Sequence, residues 1–359
     1  ERLAAMTALV LSVEDVGGTL SLIEYYARHC PITVITQGYR GCTLLMNGES
    51  ISLPTRPAVE IDPTGAGDVF AAAFFVRLHD PATQRRRKLV GSQLRRVLMA
   101  LAKVIAIANQ KGGVGKTTTT VTVAAALARL GFKALVLDFD PQANATSSFG
   151  LDTRRPYSHI YDVLSGRTDV GSTVVPVEHT GLYLLPSHPD LAGAEVELAT
   201  MDDRALILRE LLADSIATYD LTLIDCPPSL SILTVNALVA AKDGVLIPVQ
   251  CEYLALEGLT RLVQTVQTLR AELNSALHIV GILMTMYDVR TNLSAEVVQE
   301  ARRHFGNLVF KEAIPRSIRL SEAPSQGLSI FEYAPSSAGA LAYSTVTQEL
   351  IERLQMQRG

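Results

Sequence analysis

The sequence predicts an α/β fold, a doubly wound and mostly parallel sheet, and three observations carry that prediction. Strands are expected near 103–109, 133–138, 182–186, 221–225, 244–250, 278–285 and 308–313, and the short apolar runs within 103–109, 133–138 and 221–225 have the hydrophobicity of strands covered on both faces. Longer stretches with helical spacing of apolar residues separate them, as βαβ units require. Two of the runs end in aspartate, Asp138 and Asp225, and in an open α/β sheet that end of a strand faces the ligand crevice.

Bulk properties narrow the class. The 359 residues are 48% hydrophobic, enough for a sizeable core in one large or two ordinary domains. A net charge of −4 confines any nucleic-acid contact to a local patch. The four cysteines (Cys30, Cys42, Cys226, Cys251) lie far apart without C-x-x-C spacing, which predicts reduced thiols rather than disulfides or a zinc site. No signal peptide and no apolar run of about 18 residues is visible, so the expectation is a soluble, cytoplasmic protein. The chain opens on Glu1 rather than Met, as a fragment or processed product does.

Along the chain, Ile32–Thr36, Gly38–Gly41 and Cys42–Met46 suggest strand, turn and strand. Asp62-Pro-Thr-Gly-Ala-Gly-Asp68 follows, leading into a helix-like apolar run Val69–Leu78. Small residues before a helix form an anion nest, here Gly65, Ala66 and Gly67, and Asp68 is placed to act as a base toward a hydroxyl. This segment resembles the C-terminal part of the PfkB (ribokinase-like) carbohydrate kinases, over about 8–80. The resemblance implies that the Gly-Ala-Gly-Asp aspartate deprotonates an acceptor hydroxyl. The sugar-binding strands of such a kinase would lie upstream of Glu1, and a basic stretch replaces its last nucleotide-binding helices. Positioning is most of phosphoryl-transfer catalysis, so residues 1–80 read as a fused remnant, the alternative being a carbohydrate kinase activity of this segment.

Residues 81–100 read as a basic linker, with Arg85-Arg-Arg-Lys88 and Arg95-Arg96. Met99 could begin a complete protein of its own, and 101–359 reads as the main domain. There, Lys103–Asn109 is a buried strand and Lys116–Leu130 a helix stopped by Gly131. Between them runs Asn109-Gln-Lys-Gly-Gly-Val-Gly-Lys-Thr-Thr118. Its Gly-Lys-Thr end is that of a P-loop: backbone N–H groups cradle phosphates, Lys116 reaches the β and γ phosphates, and the Thr117 hydroxyl holds Mg²⁺. The usual spacing wants glycine at 110, where Gln110 stands, and a second lysine, Lys111, follows.

Lys133–Asp138 is the next strand, ending in Asp138-Phe-Asp-Pro-Gln-Ala-Asn144, whose two carboxylates at i and i+2 point to one face or else cap the turn. Leu221–Asp225 ends in the acid expected of a Walker B group. Together with Lys111–Thr118 and Asp225-Cys-Pro-Pro228, these motifs resemble the ParA branch, Soj-like in particular, of the deviant Walker A (ParA/MinD) P-loop ATPases. Later segments agree: Leu185-Pro-Ser-His188, Leu191–Leu198, Arg290-Thr-Asn-Leu293 and Ile314–Pro324. The resemblance covers about 100–355. Thr122, where asparagine is common, and Ala143, where glycine is common, are its departures.

The resemblance implies ATP and Mg²⁺ as cofactors. Gly112, Gly113, Val114, Gly115, Lys116, Thr117, Thr118 and Pro315 would bind the nucleotide, and Thr117, Asp138 and Asp225 would support the metal. Lys111 would reach across a nucleotide-sandwiched homodimer to the partner's phosphates, Lys116 would hold its own, and Asp140 would orient the attacking water. Arg290, Arg316 and Arg319, with Arg302 and Arg303 as companions, would contact phosphates of nonspecific double-stranded DNA. The alternative is ordinary ion pairing with Glu296, Glu300 or Glu322. The implied function is a slow ATPase, nucleoid-associated, that segregates chromosome or plasmid with a ParB-like centromere-binding partner. A MinD-like membrane-positioning role needs a basic amphipathic last helix. Here Leu350, Ile351 and Leu354 read as a stripe packed on the core, and no stable membrane association is expected. Iron–sulfur reductase relatives lack their cysteine pair, and amidoligase relatives their glutaminase domain.

Overall fold

The computed structural model describes residues 9–12, 32–36, 42–46, 49–53, 102–152, 156–177, 181–213, 215–253 and 255–356. The chain divides into two units, Glu1–Ala100 and Leu101–Arg358. In the first, β1 (Leu9–Ser12) pairs in parallel with β2 (Ile32–Thr36). Strands β2, β3 (Cys42–Met46) and β4 (Glu49–Leu53) continue antiparallel, matching the strands expected at 32–36 and 42–46. The turn 38–41, the Gly65–Asp68 motif, the run Val69–Leu78 and the basic stretch 81–100 lie outside the described residues.

The second unit holds a seven-stranded sheet of β5 (Lys103–Ile107), β6 (Ala134–Asp138), β7 (Val175–Val177), β8 (Leu182–Leu185), β9 (Leu221–Asp225), β10 (Val245–Gln250) and β11 (Ile279–Thr285). Its order is β11-β10-β5-β9-β6-β8-β7, parallel throughout except for the β7–β8 pair. From β5 the chain first winds one way to β6 and β8, then returns through β9 to β10 and β11 on the other side. The order therefore reverses next to β5, which puts the crevice at its carboxyl end.

Alternation explains why these strands read as unbroken apolar runs. Val104 and Ala106 pack into one core layer and Ile105 and Ile107 into the other, all fully buried. Helix Ala255–Glu272 lays Leu259, Leu262, Val266 and Leu269 on the first layer at three- and four-residue spacing. On the opposite side, helices Lys116–Arg129 and Ala338–Arg353 pack together, with Thr119 Oγ1 and the Tyr343 hydroxyl 3.0 Å apart. Leu350 and Ile351 of the last helix and Leu354 just after it are buried in this layer, as their stripe predicted.

Two expectations need correction. Edge strand β7 has no matching sequence reading: three residues with proline in the middle are too short to show a period. The strand expected at 308–313 does not form. Phe310 N–H bonds the Ile282 carbonyl and Ile314 N–H that of Met284, but Lys311 N–H turns to Glu349 Oε2 of the last helix at 3.0 Å. Arg353 takes the Asn307 and Val280 carbonyls at 2.9 and 2.8 Å and stacks on the Phe310 ring. Side chains of the last helix thus satisfy polar groups that a regular ladder would have used.

Candidate nucleotide site

The loop that leaves β5 is shaped by its glycines. Gly113 and Gly115 have φ of 74° and 89°, left-handed values that cost glycine nothing and other residues strain. Gly115 caps helix Lys116–Arg129 with no side-chain hydrogen bond, so first-turn N–H groups remain to face an anion. Three partners hold the loop. Asn109 Nδ2 donates to the Pro248 carbonyl at 2.7 Å, and Asn109 Oδ1 accepts the Lys111 N–H at 3.0 Å. From β11, Thr285 Oγ1 donates to the Val114 carbonyl at 2.8 Å. From sequence Asn109 reads only as a strand end and Thr285 is not marked at all, because their roles come from β10 and β11 lying beside the loop.

Lys116 is buried, and its Nζ donates to the Lys111 carbonyl at 3.2 Å, arching over the loop. Desolvation lowers its pKa, while the charges of Asp225, Cys226 and Asp140 act to raise it. Thr117 Oγ1 donates to Asp225 Oδ2 at 2.7 Å, and Thr120 Oγ1 lies 3.0 Å from Asp225 Oδ1. The pairing of β6 with β9 sets Asp138 directly opposite Asp225, both completely buried. Burial pushes both carboxyl groups up, and for Asp225 the Asp138 charge is the next cause. Cys226 beside them is a free, buried thiol pushed far up by desolvation, and Cys251 is likewise free.

A hydroxyl and a carboxylate oxygen in contact, inside a pocket of excess negative charge, suit a hard divalent cation such as Mg²⁺. Asp138 stands differently. Its Oδ2 accepts both the N–H and the hydroxyl of Thr146 at 2.7 Å, and its Oδ1 the Asp140 N–H at 3.2 Å. It braces the turn and offers a cation at Asp225 its charge rather than a free oxygen. Asp140 is buried at the turn, with Oδ1 accepting the Gln142 N–H at 3.0 Å and its carbonyl accepting Ser187 Oγ at 2.7 Å. Ala143 has φ 52°, the conformation for which glycine is the natural residue.

Lys111 sits half-exposed at the rim, its Nζ paired with Glu252 on the loop after β10. It borders an open cavity of about 330 Å³ lined also by Asn109, Val249, Gln250 and Arg261. A second, smaller cavity beside Thr117 and Thr118 is lined by Thr122, Leu320, Pro324 and Leu328. Pro315, expected at the nucleotide, is not in that lining; it bridges Tyr287, two residues past β11.

The arginines are exposed, and Arg290, Arg302, Arg303 and Arg319 are locally paired. Arg290 forks onto Asp288, Nε to Oδ1 at 2.8 Å and Nη2 to Oδ2 at 2.6 Å, and with Arg316 nearby this holds the Asp288 carboxyl far below its usual range. Arg319 pairs with Glu322 at 3.1 Å and Arg303 with Glu300. Arg302 donates to the Lys311 carbonyl. The ion pairs expected as the alternative therefore form for Arg319 and Arg303. Such solvent-exposed pairs are weak, so a phosphate can take the place of the carboxylate.

Fold and loop together define a P-loop nucleotide-binding protein with a mostly parallel doubly wound sheet. Residues 102–279 match the model of an AAA domain family, and 21–120 that of the pfkB carbohydrate kinases. The chain is 51% identical over 259 residues to the chromosome-partitioning ATPase Soj of Thermus thermophilus, covering 72% of this chain and 99% of that one. It is 46% identical over 250 residues to the sporulation initiation inhibitor protein Soj of Bacillus subtilis, 70% of this chain and 98% of that one. A crystal structure of cobyrinic acid a,c-diamide synthase from Mycobacterium smegmatis, with bound ADP and magnesium, is 35% identical with a TM-score of 0.63, over 72% of this chain and 97% of that one. The chain belongs to the Soj/ParA family of chromosome-partitioning ATPases.

Proposed function

We propose that the protein is an ATP-driven switch. ATP favours a sandwich homodimer that binds nonspecific double-stranded DNA, and hydrolysis, stimulated by a ParB-like partner, releases both. The carrying observation is that one loop presents two lysines in opposite settings. Lys116 is buried over the loop, whereas Lys111 stands at the rim in an exposed pair with Glu252. A rim cation on a long stem suits phosphates arriving from outside, as an arginine finger does.

In this reading Thr117 and Asp225 hold Mg²⁺, which neutralises phosphate charge when bound. The loop N–H groups of Gly112 to Thr118 and Lys116 fix the phosphates, and Asp140, clamped through Ser187 and Gln142, orients the attacking water. Arg290 and Arg319 exchange their carboxylate partners for DNA phosphates, and exposed Arg316 adds a third contact, which makes binding steeply salt-dependent. Domain boundaries at 1–80, 81–100 and 101–359 belong to the same proposal, with Gly65–Asp68 a kinase remnant. The burial of Leu350, Ile351 and Leu354 speaks against a membrane-targeting last helix. Among the described residues no helix is long and apolar enough to cross a membrane.

DNA co-sedimentation with ATP, ADP or no nucleotide tests the switch, on the whole chain and on a version beginning at Met99. Sedimentation with ATP alone is expected from both; binding indifferent to nucleotide would overturn the reading.

A further inference from the structure

Away from the loop, His159, His188 and Asp190 each bring a ligand-capable atom within 4.8 Å of the other two. His159 precedes helix Ile160–Leu164 and is 7% exposed, and its Nδ1 is buried with no hydrogen-bond partner. The nearest carboxylate oxygen, Asp162 Oδ2, is 3.5 Å from Nδ1 and instead accepts the His159 backbone N–H at 3.0 Å. The His188 ring stacks on His159 with centroids 4.6 Å apart, and His188 Nδ1 accepts the Asp190 N–H at 3.2 Å and lies 3.2 Å from Asp190 Oδ2. Tyr157 meets both rings edge-on. Leaving an imidazole nitrogen buried and unpaired is costly. Two imidazoles and a carboxylate also make the protein ligand set of a zinc-class site with its fourth position open.

We propose that His159, His188 and Asp190 bind a divalent transition metal of the zinc class. A metal lies in the plane of each imidazole it binds, so two rings stacked at 9° cannot share one as they stand. His188 and Asp190, with side chains 30% and 62% exposed, turn to meet it, while buried His159 stays in place. The site is chemically separate from Thr117 and Asp225, whose all-oxygen donors suit Mg²⁺.

The position carries a consequence for turnover. Ser187, next to His188, donates Oγ to the Asp140 carbonyl at 2.7 Å and its N–H to Thr146 Oγ1 at 2.9 Å. Thr146 in turn holds Asp138. A metal that fixes His188 therefore stiffens the turn that carries Asp140. This coupling rests on the proposed role of Asp140; metal binding does not.

The full chain, stripped by a chelator and saturated with Mg²⁺, is titrated with Zn²⁺ by calorimetry and with Co²⁺ by its ligand-field absorption. His188→Ala and Asp190→Asn, both on partly exposed side chains, are titrated alongside after thermal melting confirms their folding. The expected result is loss of the Co²⁺ band and of one Zn²⁺ equivalent in His188→Ala, with at least about tenfold weaker binding in Asp190→Asn. Titrations identical to the parent protein overturn the site. Slower amide exchange at Asp140 and Ser187 on adding Zn²⁺ to the parent protein supports the coupling, and unchanged exchange overturns it.

Discussion

Asp138 and Asp225 face each other in register on neighbouring parallel strands, both wholly buried. One braces the turn through Thr146 and the other touches the Thr117 hydroxyl. Two like charges this deep are tolerated when a proton or a cation joins them.

Their raised pKa values predict how stability depends on pH. The folded protein holds protons on these carboxyls more tightly than the unfolded chain, whose value is about 4. Their stabilising contribution is therefore complete below about pH 4 and lost as pH rises through the higher folded values. Thermal melts without nucleotide should show this pair opposing stability as pH rises toward neutrality. Asp225→Asn should flatten that dependence, and Mg²⁺ with ADP should offset it in the parent protein. A pH profile identical in Asp225→Asn would refute the assignment.

The two lysines should separate in their effects. Lys111→Ala should leave nucleotide affinity within a few-fold while lowering hydrolysis on the order of 10³-fold, the scale of losing an arginine finger, and abolishing ATP-dependent dimerisation. Lys116→Ala should lose all three. Nucleotide titration and light scattering check both; equal losses of nucleotide affinity would remove the distinction.

Charge reversal at Arg316 or Arg319 should abolish ATP-dependent DNA sedimentation with nucleotide binding intact. Single neutral changes should reduce the salt slope by about one unit per lost phosphate contact. An unaltered slope would leave Arg319 with its Glu322 ion pair and remove Arg316 from the DNA contact.

Backbone strain at Ala143 should be relieved by glycine. Left-handed backbone costs a non-glycine residue about 1–2 kcal/mol, and added chain entropy returns part of that, so Ala143→Gly should stabilise by about 0.5–1 kcal/mol. Denaturant melts measure it, and a destabilised variant would show that the turn prefers a side chain there.

At Gly281 on β11 the opposite holds, since an added Cβ would run into the Phe310 ring and reach within 3.0 Å of Arg353 Nη1. Gly281→Ala should cost about 1–3 kcal/mol, the usual range for overpacking, read from the same melts.

Much of the candidate nucleotide site was legible because it is local. Gly113, Gly115, Lys116 and Thr117 act through consecutive backbone and a helix start, and strand-end aspartates announce themselves by position. Less legible were residues whose roles come from distant neighbours. Glu252 meets Lys111 from another loop, and Thr285 clamps Val114 from β11. The segment 308–313 was expected as a strand and opens on the apolar Leu308-Val-Phe310, yet Lys311 and Glu312 interrupt the run, and Glu349 and Arg353 took the polar groups a strand needs.

The sequence by itself determined the alternating α/β plan, the loop with its extra lysine and the family resemblance, since hydrophobic period and glycine placement act over a few residues. Tertiary structure alone decided what each acid does. Register sets Asp138 against Asp225, Thr146 turns Asp138 into a brace, and Ser187 ties Asp140 to the stacked histidines. A carboxylate's role depends on which donors and charges surround it, and that surrounding is assembled from residues far apart in the chain.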